Sequence, residues 1–483
     1  MINKKALTLL GLLIVISMLF VACGGATEEP TEEPAAAPTE APAGEEEAEE
    51  PPAEEEGGEM AEVDFAYPEG GALEQALTGE FEGTQVTVDG PFVDADEVRF
   101  SESVRPFEEA TGIDVVYVGS KEFESAIAVR VEAGDPPDIA DFPQPGLMSR
   151  IANLGEDTLV DPTTFIPMEW LEGQYNPSWI DMTRINVGGS EQIGGVFHRY
   201  NAKSLVWYPV DDFEASGYEI PETWDELLAL SDQIVSDGDS PWCIGIGSGT
   251  ATGWPATDWT EETMLRTTSL ENYDAWVAGE LPFDSPEVRE AIQAWSEIWF
   301  NDDYVLGGTD SIVTTNFDES PAPMFEDPPR CWLHKQGNFI TGFFPEDAVA
   351  FEDYSFFYLP MIEEEYGQPW LVAGDIMAMF NDRPEVRALM EYFTVPESAG
   401  GWLSDGGALA AHESATPEMY GQPIEAGIAE LVQEADAFRF DASDLMPSEV
   451  GAGTFWTGMV DYVSGSADLD TVLQEIDASW PEQ

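Results

Sequence analysis

The strongest constraint on the fold is the regular alternation of short β-rich runs with helical patterns between residues 85 and 142. The strand patterns occupy 85–89, 113–118 and 138–142, and the helical patterns between them occupy 101–111 and 123–133. A glycine follows each helical pattern, at Gly112 and Gly134, as expected for a helix end. A β-α-β-α-β order favours parallel strands joined by right-handed crossovers. The sequence therefore predicts an α/β fold with a parallel sheet flanked by helices.

Strand and helix patterns recur along the remaining chain. Strand patterns at 195–200 and 204–208 precede a helix start at which Thr223 and Glu226 have the spacing of a capping box. Residues 286–300 form an amphipathic helical pattern. The chain has 483 residues, which suffices for two or three domains with sizeable cores, and no short repeat indicates a solenoid. The length therefore favours more than one α/β unit.

The chain is strongly acidic, with 96 Asp and Glu residues against 17 Lys and Arg residues and a formal charge of −79. Binding to phosphates requires clustered basic side chains, so the composition excludes nucleic acid as a partner. However, 43% of the residues are hydrophobic and 11% are aromatic, which excludes a wholly disordered polyanion. We expect a folded body with an acidic surface that attracts counterions.

Residues 1–23 are typical of a secretory signal. Lys4 and Lys5 precede an apolar run that ends just before Cys23. The sequence LFVACG around this cysteine resembles the lipobox of bacterial lipoproteins, although Phe20 stands where that family usually has Leu. The resemblance implies that Cys23 is lipidated and anchors an exported chain to the membrane. An ordinary signal peptide or a short membrane helix is the alternative.

Residues 24–64 have the composition of a stalk. They contain 16 acidic residues, no basic residue and repeated Thr-Glu-Glu-Pro blocks. Such a segment cannot bury a core, and its charge repulsion and prolines keep it extended. We interpret it as a disordered acidic stalk between the anchor and the folded body, and an acidic tail with a function of its own is the alternative.

Two cysteines, Cys243 and Cys331, lie in the folded body. In an exported chain an isolated pair predicts a disulfide, and two buried free thiols are the alternative. The histidines His198, His334 and His412 are scattered, and no Cys-x-x-Cys or His-Glu-x-x-His spacing occurs. We therefore expect no metal site and no cofactor.

Four longer strings, in order along the chain, resemble the extracellular solute-binding proteins (family 1) of bacterial ABC sugar importers. They span 104–146, 200–234, 370–393 and 445–465. The first contains Thr-Gly-Ile before a Val-rich strand and then Gly-x-x-Pro-Asp, and the second contains the helix start Pro-x-Thr-Trp-x-Glu-Leu. The resemblance covers about residues 83–483. The string at 241–259 is most similar to the binders of alpha-glucosides and related oligosaccharides.

The resemblance implies a periplasmic-binding-protein fold, with two lobes that each contain a mainly parallel sheet flanked by helices. Lobe one would comprise 83–200 and 374–435, and lobe two would comprise 201–373 and 436–483. The chain would cross a hinge near Tyr200, Ala373 and Ala437, and the ligand would lie in the cleft, beyond the carboxyl ends of the strands. The implied partners are a saccharide and the membrane subunits of an ABC permease. The implied protein is a monomer, is not an enzyme, and faces the periplasm or the cell exterior.

A saccharide site needs aromatic surfaces for the apolar ring faces and polar side chains for the hydroxyls. The string at 241–259 offers Trp254 for stacking, Asp258 for hydroxyls, and Trp259 as a second aromatic surface or its support. By resemblance, Trp456 matches a stacking tryptophan of the sugar-binding group. Packing in the core is the alternative for any single tryptophan. The remaining candidates lie at strand ends, at the first crossover and in loops: Phe92, Phe142, Gln144, Asn201, Lys203, His334, Gln336, Asp375, Trp402 and Asp405.

Two other functions stay open on the sequence alone. The same fold could bind a polyamine or another cationic solute, and carboxylates that face each other across the cleft would distinguish such a site. A secreted glycoside hydrolase would need two carboxylates about 5–9.5 Å apart across a bound sugar. Among so many acidic residues such a pair can arise by chance, but no catalytic motif is recognisable. We therefore expect no catalytic residues.

The excess of negative charge predicts that salt stabilises the folded chain. Raising NaCl from a low to a molar concentration screens the repulsion among surface carboxylates, so the melting temperature should rise by several degrees. Scanning calorimetry at constant pH measures this shift. A melting temperature that stays the same or falls on addition of salt would contradict the prediction.

Overall fold

The structure is a computed structural model that describes residues 60–155, 157–433, 435 and 437–481. The predicted signal sequence, Cys23, and all but the last five residues of the predicted stalk lie outside these residues. The described residues form β-strands and α-helices around two main hydrophobic cores.

The strands that the structure describes are, in chain order, β1 Gln85–Gly90, β2 Asp114–Gly119, β3 Ile139–Phe142, β4 Arg184–Val187, β5 Ser190–Ile193, β6 Val196–Ala202, β7 Leu205–Pro209, β8 Ser240–Trp242, β9 Cys331–Lys335, β10 Tyr354–Tyr358, β11 Pro369–Met379, β12 Leu409–Ala410 and β13 Ala437–Phe440.

The helices are α1 Ala72–Leu77, α2 Ala95–Thr111, α3 Phe123–Glu132, α4 Pro145–Ala152, α5 Met168–Gln174, α6 Pro177–Met182, α7 Val210–Ala215, α8 Trp224–Asp237, α9 Trp254–Thr267, α10 Leu270–Val277, α11 Pro286–Trp299, α12 Pro384–Tyr392, α13 Gly400–Asp405, α14 Pro423–Gln433, α15 Ala442–Leu445, α16 Trp456–Val463 and α17 Leu469–Asp477.

The first sheet has the strand order β12-β6-β11-β3-β1-β2, with β13 paired to β11. Strands β1, β2 and β3 are parallel, as the alternating pattern predicts. Strand β11 runs antiparallel to both β3 and β6, and its register with β6 shifts between Asp375 and Ile376. Such an irregularity redirects a side chain. Here it occurs where Asp375 lies opposite Arg199 of β6.

The second sheet has the order β10-β7-β9-β8, and its strand directions differ from the prediction. Only β8 and β9 are parallel, whereas β7 is antiparallel to both β9 and β10. The prediction of a mainly parallel sheet is therefore wrong for this lobe. Buried strands of either direction are short apolar runs, so the residue pattern does not encode which way a strand runs.

Several local predictions are confirmed. Helix α8 begins with the capping box, because the Thr223 side chain accepts from the Glu226 N–H and the Glu226 carboxylate accepts from the Thr223 N–H. Helix α11 buries one face, which includes Val288, Ile292 and Trp295, in the second core. The first core packs on the seven-stranded sheet and reaches Trp207 of β7 and Cys331 of β9, and the second core contains most of the helices that pack on the four-stranded sheet.

The chain crosses from the first sheet to the second after β6, returns between β10 and β11, and passes after β13 to helices of the second core. These three crossings are hydrogen-bonded to one another. The first crossing is Lys203 and Ser204, between β6 and β7; Lys203 N donates to the Leu371 carbonyl at 2.8 Å. Leu371 N donates to Ser204 Oγ at 2.9 Å, which ties the second crossing to the first. The third follows β13, where Asp441 N donates to the Val372 carbonyl at 2.7 Å. The predicted lobe boundaries fall close to these segments and stay predictions.

The structure joins Cys243 and Cys331 in a disulfide. Both cysteines are buried, their Cα atoms are 5.5 Å apart, and the bridge closes a segment with a sequence separation of 88. Cys331 begins β9, and Cys243 directly follows β8, so the bridge reinforces the one parallel pair of the second sheet. Cross-links of this kind restrict the unfolded chain.

Removal of the disulfide should destabilise the chain. The double substitution Cys243→Ala with Cys331→Ala should lower the free energy of unfolding by about 2–5 kcal/mol, as is typical for a native bridge. Urea denaturation of the oxidised chain and the double variant measures the difference. If the two proteins have the same midpoint in urea, the disulfide contributes nothing to stability.

Candidate ligand-binding site

An arginine that packs against two aromatic rings lies at the irregularity of β11. Arg199 Nε is 3.1 Å from Asp375 Oδ2, and the guanidinium carbon is 4.3 Å from the Phe92 ring centre and 4.6 Å from that of Trp402. Trp402 Nε1 donates to Asp96 Oδ1 at 2.9 Å, which fixes the second ring. Three predicted site residues, Phe92, Asp375 and Trp402, are thus brought together around one cation.

Asp141 of β3 lies fully buried near this pair. Neither of its carboxylate oxygens has a hydrogen-bond partner among the described residues. Burial raises the pKa of Asp141 well above its usual range, Asp375 adds to the rise, and Arg199 opposes it. Gly90 on the adjacent strand allows the close packing here, because a Cβ at that position would overlap Tyr117 Oη. A buried carboxyl without a partner is costly when ionised. Burial therefore disfavours the charged form of Asp141.

Lys203 is a second buried cation, at the first crossing between the sheets. Its Nζ is 2.9 Å from Asp258 Oδ1 and 2.5 Å from Asp441 Oδ2. Burial raises the pKa of Asp258 to about 7, although Lys203 opposes the rise. Burial also acts on Asp441, but Lys203 and the Ser443 hydroxyl, 2.7 Å from Oδ1, hold the pKa of Asp441 below its usual range. The ammonium therefore joins α9 to the segment after β13.

Glu261 extends this group into a cluster of carboxylates. Asp258, Glu261 and Asp441 offer oxygens within 4.8 Å of one another, a spacing that could hold a metal ion. The Lys203 ammonium already bonds two of the three, and the Ser443 N–H donates to Glu261 Oε1 at 3.1 Å. Burial, with Asp441 and Asp258, raises the pKa of Glu261 well above its usual range. The Lys203 ammonium is the cation that pairs with Asp258 and Asp441, and we assign no metal to the cluster.

A cavity of about 270 Å³ lies close to these groups. One wall comes from α3 and α4 and the residue that precedes α4: Glu124, Ser125, Gln144, Leu147 and Arg150. The other wall comes from the segments after β8 and after β13: Thr250, Ala251, Ser443, Asp444, Met446, Ser448, Ala452 and Trp456. The first wall follows the carboxyl ends of β2 and β3, which is where open α/β sheets bind ligands.

The cavity lining offers unused hydrogen-bonding capacity. Gln144 Oε1 and Arg150 Nε are buried and have no hydrogen-bond partner among the described residues. The Gln144 side chain also hydrogen-bonds Glu124, whose pKa is raised by burial. Burial raises the pKa of Asp444 on the opposite wall, and the neighbouring Asp441 adds to the rise. Donors and acceptors of this kind match the hydroxyls of a polar solute.

Trp456 supplies an aromatic surface on the second wall. It is the first residue of α16, directly after the π-helical segment Val450–Phe455, and its side chain is 7% exposed. Its Nε1 donates to Ser443 Oγ at 3.3 Å, which orients the indole. An indole held in this way can stack against the apolar face of a pyranose ring.

The two tryptophans predicted as site residues in the string at 241–259, Trp254 and Trp259, lie elsewhere. Trp254 is absent from the cavity lining; its ring packs 5.0 Å from Phe317 and 5.8 Å from Phe339, with Lys203 Nζ 5.4 Å from its centre. Trp259 is 3% exposed, and its ring contacts other tryptophans of the second core at 5.4 and 5.8 Å. The position of Trp259 is that of a core residue. Neither ring contributes to the described cavity.

The other predicted residues take part in structural hydrogen bonds or lie apart from the cavity. Asn201 Nδ2 donates to the Gly407 carbonyl at 2.8 Å, and His334 Nδ1 donates to the Cys243 carbonyl at 2.8 Å. Gln336 Oε1 accepts from the adjacent Gly337 N–H at 3.0 Å. Phe142 is buried at the end of β3, and Asp405 is exposed at the end of α13. Of the predicted ligand-binding residues, the cavity lining contains Gln144 and Trp456.

Sequence reasoning missed Glu124, Arg150 and Asp444. Glu124 lies in the first turn of α3, Arg150 lies in α4, and Asp444 lies in α15. Each of these helices follows a strand of the first sheet. The rule that placed Phe92, Phe142 and Gln144 at strand ends would have found all three if it had been extended one helical turn or two beyond each strand.

Two α/β lobes joined by three crossings, with a cavity lined from both sides, define the architecture of a solute-binding protein. Residues 91–400 match the family model for the bacterial extracellular solute-binding proteins, which covers well over half of the chain. The chain belongs to this family, whose members serve ABC transporters that take up sugars.

Curated relatives and solved structures agree with this assignment. The chain is 43% identical over 405 residues to the osmoprotective compounds-binding protein GgtB of Synechocystis, covering 84% of this chain and 94% of that one. It is 41% identical over 417 residues to the alpha-glucosides-binding periplasmic protein AglE of Rhizobium meliloti, with coverages of 85% and 90%. The fold is similar to that of the bacterial solute receptor AcbH, described as preferring β-D-galactopyranose, with a TM-score of 0.68, 16% identity, and coverages of 82% and 97%.

Within the part of the chain that the structure describes, we find no helix with the length and apolar character needed to cross a membrane.

Substitution of Lys203 should destabilise the folded chain strongly. Lys203→Met removes the ammonium and leaves Asp258 and Asp441 buried without their cation, which typically costs about 3–5 kcal/mol. Urea denaturation measures the change in the free energy of unfolding. The matched control is Lys121→Met, because Lys121 is 75% exposed and its nearest carboxylate, Asp94, is 3.7 Å away. Equal effects of the two substitutions would show that the buried cluster does not depend on Lys203.

Proposed function

We propose that the chain is the receptor of an ABC importer and captures a saccharide of the α-glucoside type in the cavity between its lobes. The observation that carries the proposal is the cavity itself, where the indole of Trp456 lies across from the unpartnered Gln144 Oε1 and Arg150 Nε. A pyranose can place its apolar face against the Trp456 indole and its hydroxyls against Gln144 Oε1 and Arg150 Nε. The name of the relative AglE, an alpha-glucosides-binding protein, supports a glucoside.

The proposal assigns no catalytic step to the chain. The receptor binds its ligand, the lobes close around it, and the closed form delivers it to the permease subunits in the membrane. Lipidation of Cys23 would hold a monomeric receptor at the membrane, and the acidic stalk would give it reach. Mass spectrometry of the chain purified from the producing cell tests the lipid, because a diacyl modification on an N-terminal Cys23 has a characteristic mass.

One observation favours a second candidate, a cationic solute. Glu124 and Asp444 lie on opposite walls of the cavity, which is the arrangement of carboxylates that a polyamine site requires. Arg150 on the first wall opposes this candidate, because its guanidinium would repel an ammonium ligand. The raised pKa values of both carboxyls also weaken their attraction for a cation. We therefore place the saccharide first.

Isothermal titration calorimetry with a panel of saccharides and spermidine tests the proposed function. We expect heat from at least one glucoside and none from spermidine. Binding of spermidine without any saccharide would reverse the order of the two candidates. Prolonged incubation with the same saccharides tests for hydrolysis, because release of smaller sugars would show that the chain is an enzyme.

Trp456 should be essential for saccharide binding. Trp456→Ala removes the stacking surface, which should weaken binding by about 1–3 kcal/mol, or roughly fivefold to 150-fold, if a sugar ring stacks as a nucleic-acid base does. Trp254→Ala is the matched control, since its indole lies outside the cavity lining. Calorimetry with the best ligand of the panel compares the two variants. A larger loss in Trp254→Ala than in Trp456→Ala would place the stacking site at Trp254 instead.

A further inference from the structure

The connection between β9 and β10, residues 336–353, contacts elements of the first sheet although both of its flanking strands belong to the second. We call this connection the strap. Its 3₁₀ helix, Asn338–Phe343, begins beside the first crossing, where the Ala202 N–H at the end of β6 donates to Asn338 Oδ1 at 2.8 Å. Asn338 is fully buried. The strap is therefore attached to the first sheet at its root.

Further along, the strap reaches α14, the helix that lies between β12 and β13 of the first sheet. Thr341 Oγ1 is 3.5 Å from Glu425 Oε1, and the same oxygen accepts from the Gly407 N–H at 2.9 Å. Ala348 and Ala350 of the strap pack against the first core, to which α14 contributes. The strap thus bridges the two sheets away from the three crossings.

The outermost contact of this bridge joins Phe351 of the strap to Gly427 of α14. A Cβ on Gly427 would lie 3.5 Å from Cζ of the Phe351 ring. Gly427 stands in the middle of α14, and Phe351 is 47% exposed. An alanine at position 427 would just touch the ring, and a larger side chain directed at it would displace it. The absence of a side chain at Gly427 therefore leaves the space that the ring occupies.

Each partner of this contact is locally unfavourable. Phe351 has φ +64°, a backbone conformation that a bulky residue rarely adopts. A glycine inside a helix is disfavoured by the entropy of the unfolded chain. Neither feature is needed by the element that carries it, and the two coincide at one contact between the lobes. The contact gives a reason for both.

We infer that Phe351 and Gly427 form a latch that favours the arrangement in which the two cavity walls face each other. Neither residue lines the cavity. A solute that contacts both walls stabilises the same arrangement, so the latch and the solute are thermodynamically coupled. Loss of the latch lowers the fraction of chains that are competent to bind, and it weakens the apparent affinity without changing any contact with the solute.

Small-angle X-ray scattering on the complete, ligand-free chain tests the latch. Phe351→Gly removes the ring and accepts the positive φ without strain, so the strap keeps its path. We expect a larger radius of gyration than in the original chain. Phe300→Gly is the matched control, because Phe300 is 41% exposed and its ring packs with Trp295 and Tyr462 inside the second core. An unchanged radius in Phe351→Gly would overturn the inference.

A double-mutant comparison tests whether the two residues act on each other. Gly427→Val places a branched side chain against the ring and should open the chain as Phe351→Gly does. The double variant should be no more open than Phe351→Gly alone, since the ring that valine displaces is gone. The control is Gly173→Val in α5, where a Cβ meets nothing within 4 Å. Additive increases in the radius would contradict the latch. If Phe351→Gly does not fold, Gly427→Val against its control decides.

A binding measurement with maltose tests the coupling. Phe351→Gly should raise the dissociation constant by about threefold to tenfold, mainly through faster release, and Phe300→Gly should leave it unchanged. Stopped-flow fluorescence and calorimetry measure both quantities. Equal or tighter binding by Phe351→Gly would overturn the inference. This measurement rests on the proposed function, whereas the scattering does not. A failure of maltose to bind the original chain counts against the saccharide proposal, and the scattering then decides on the latch.

Discussion

The arrangement of the two lobes depends on the buried ammonium of Lys203. This side chain lies on the first crossing between the sheets, its backbone N–H bonds the second crossing at Leu371, and its Nζ bonds Asp441 on the third. The same Nζ reaches Asp258 in α9. A buried charge is tolerated only where opposite charge and hydrogen bonds compensate it, so these segments are held in one relative geometry. The three connections therefore act as one joint.

More buried carboxyl groups surround Lys203 than its ammonium can pair with, and one of the unpaired groups lies in the cavity. Burial raises the pKa values of Asp258, Glu261 and Asp444. Asp441 is also buried, but its pKa is lowered because its carboxylate accepts hydrogen bonds from Lys203 and from the Ser443 hydroxyl. Asp444 then lines the cavity with a carboxyl group whose charged form is disfavoured by burial. The site thus acquires hydrogen-bonding groups from a cluster whose first role is structural.

The fold was largely predictable because it rests on local signals. The alternation of strands and helices between residues 85 and 142, the capping box at Thr223 and the amphipathic α11 all follow from periodicity and from turn and cap chemistry. The directions of the strands in the second sheet did not follow, because an apolar run reads the same in either direction. Among the aromatic candidates, Trp456 lines the cavity, whereas the ring of Trp254 packs with Phe317, Phe339 and the Lys203 ammonium. Sequence alone cannot decide between them, since the two rings differ only in what packs around them.

By itself, the sequence determined the class of fold, the acidic surface and the kinds of residue available for a polar ligand, since these depend on composition and on short-range pattern. Only the tertiary structure decided which of those residues share a cavity. Glu124 and Arg150 come from the consecutive helices α3 and α4, which follow strands that end at one edge of the first sheet. Asp444 comes from α15, far along the chain, and the joint at Lys203 brings the segment after β13 alongside them. Packing and the pairing of buried charges determine which residues distant in the chain come into contact. A short-range sequence pattern does not encode these contacts.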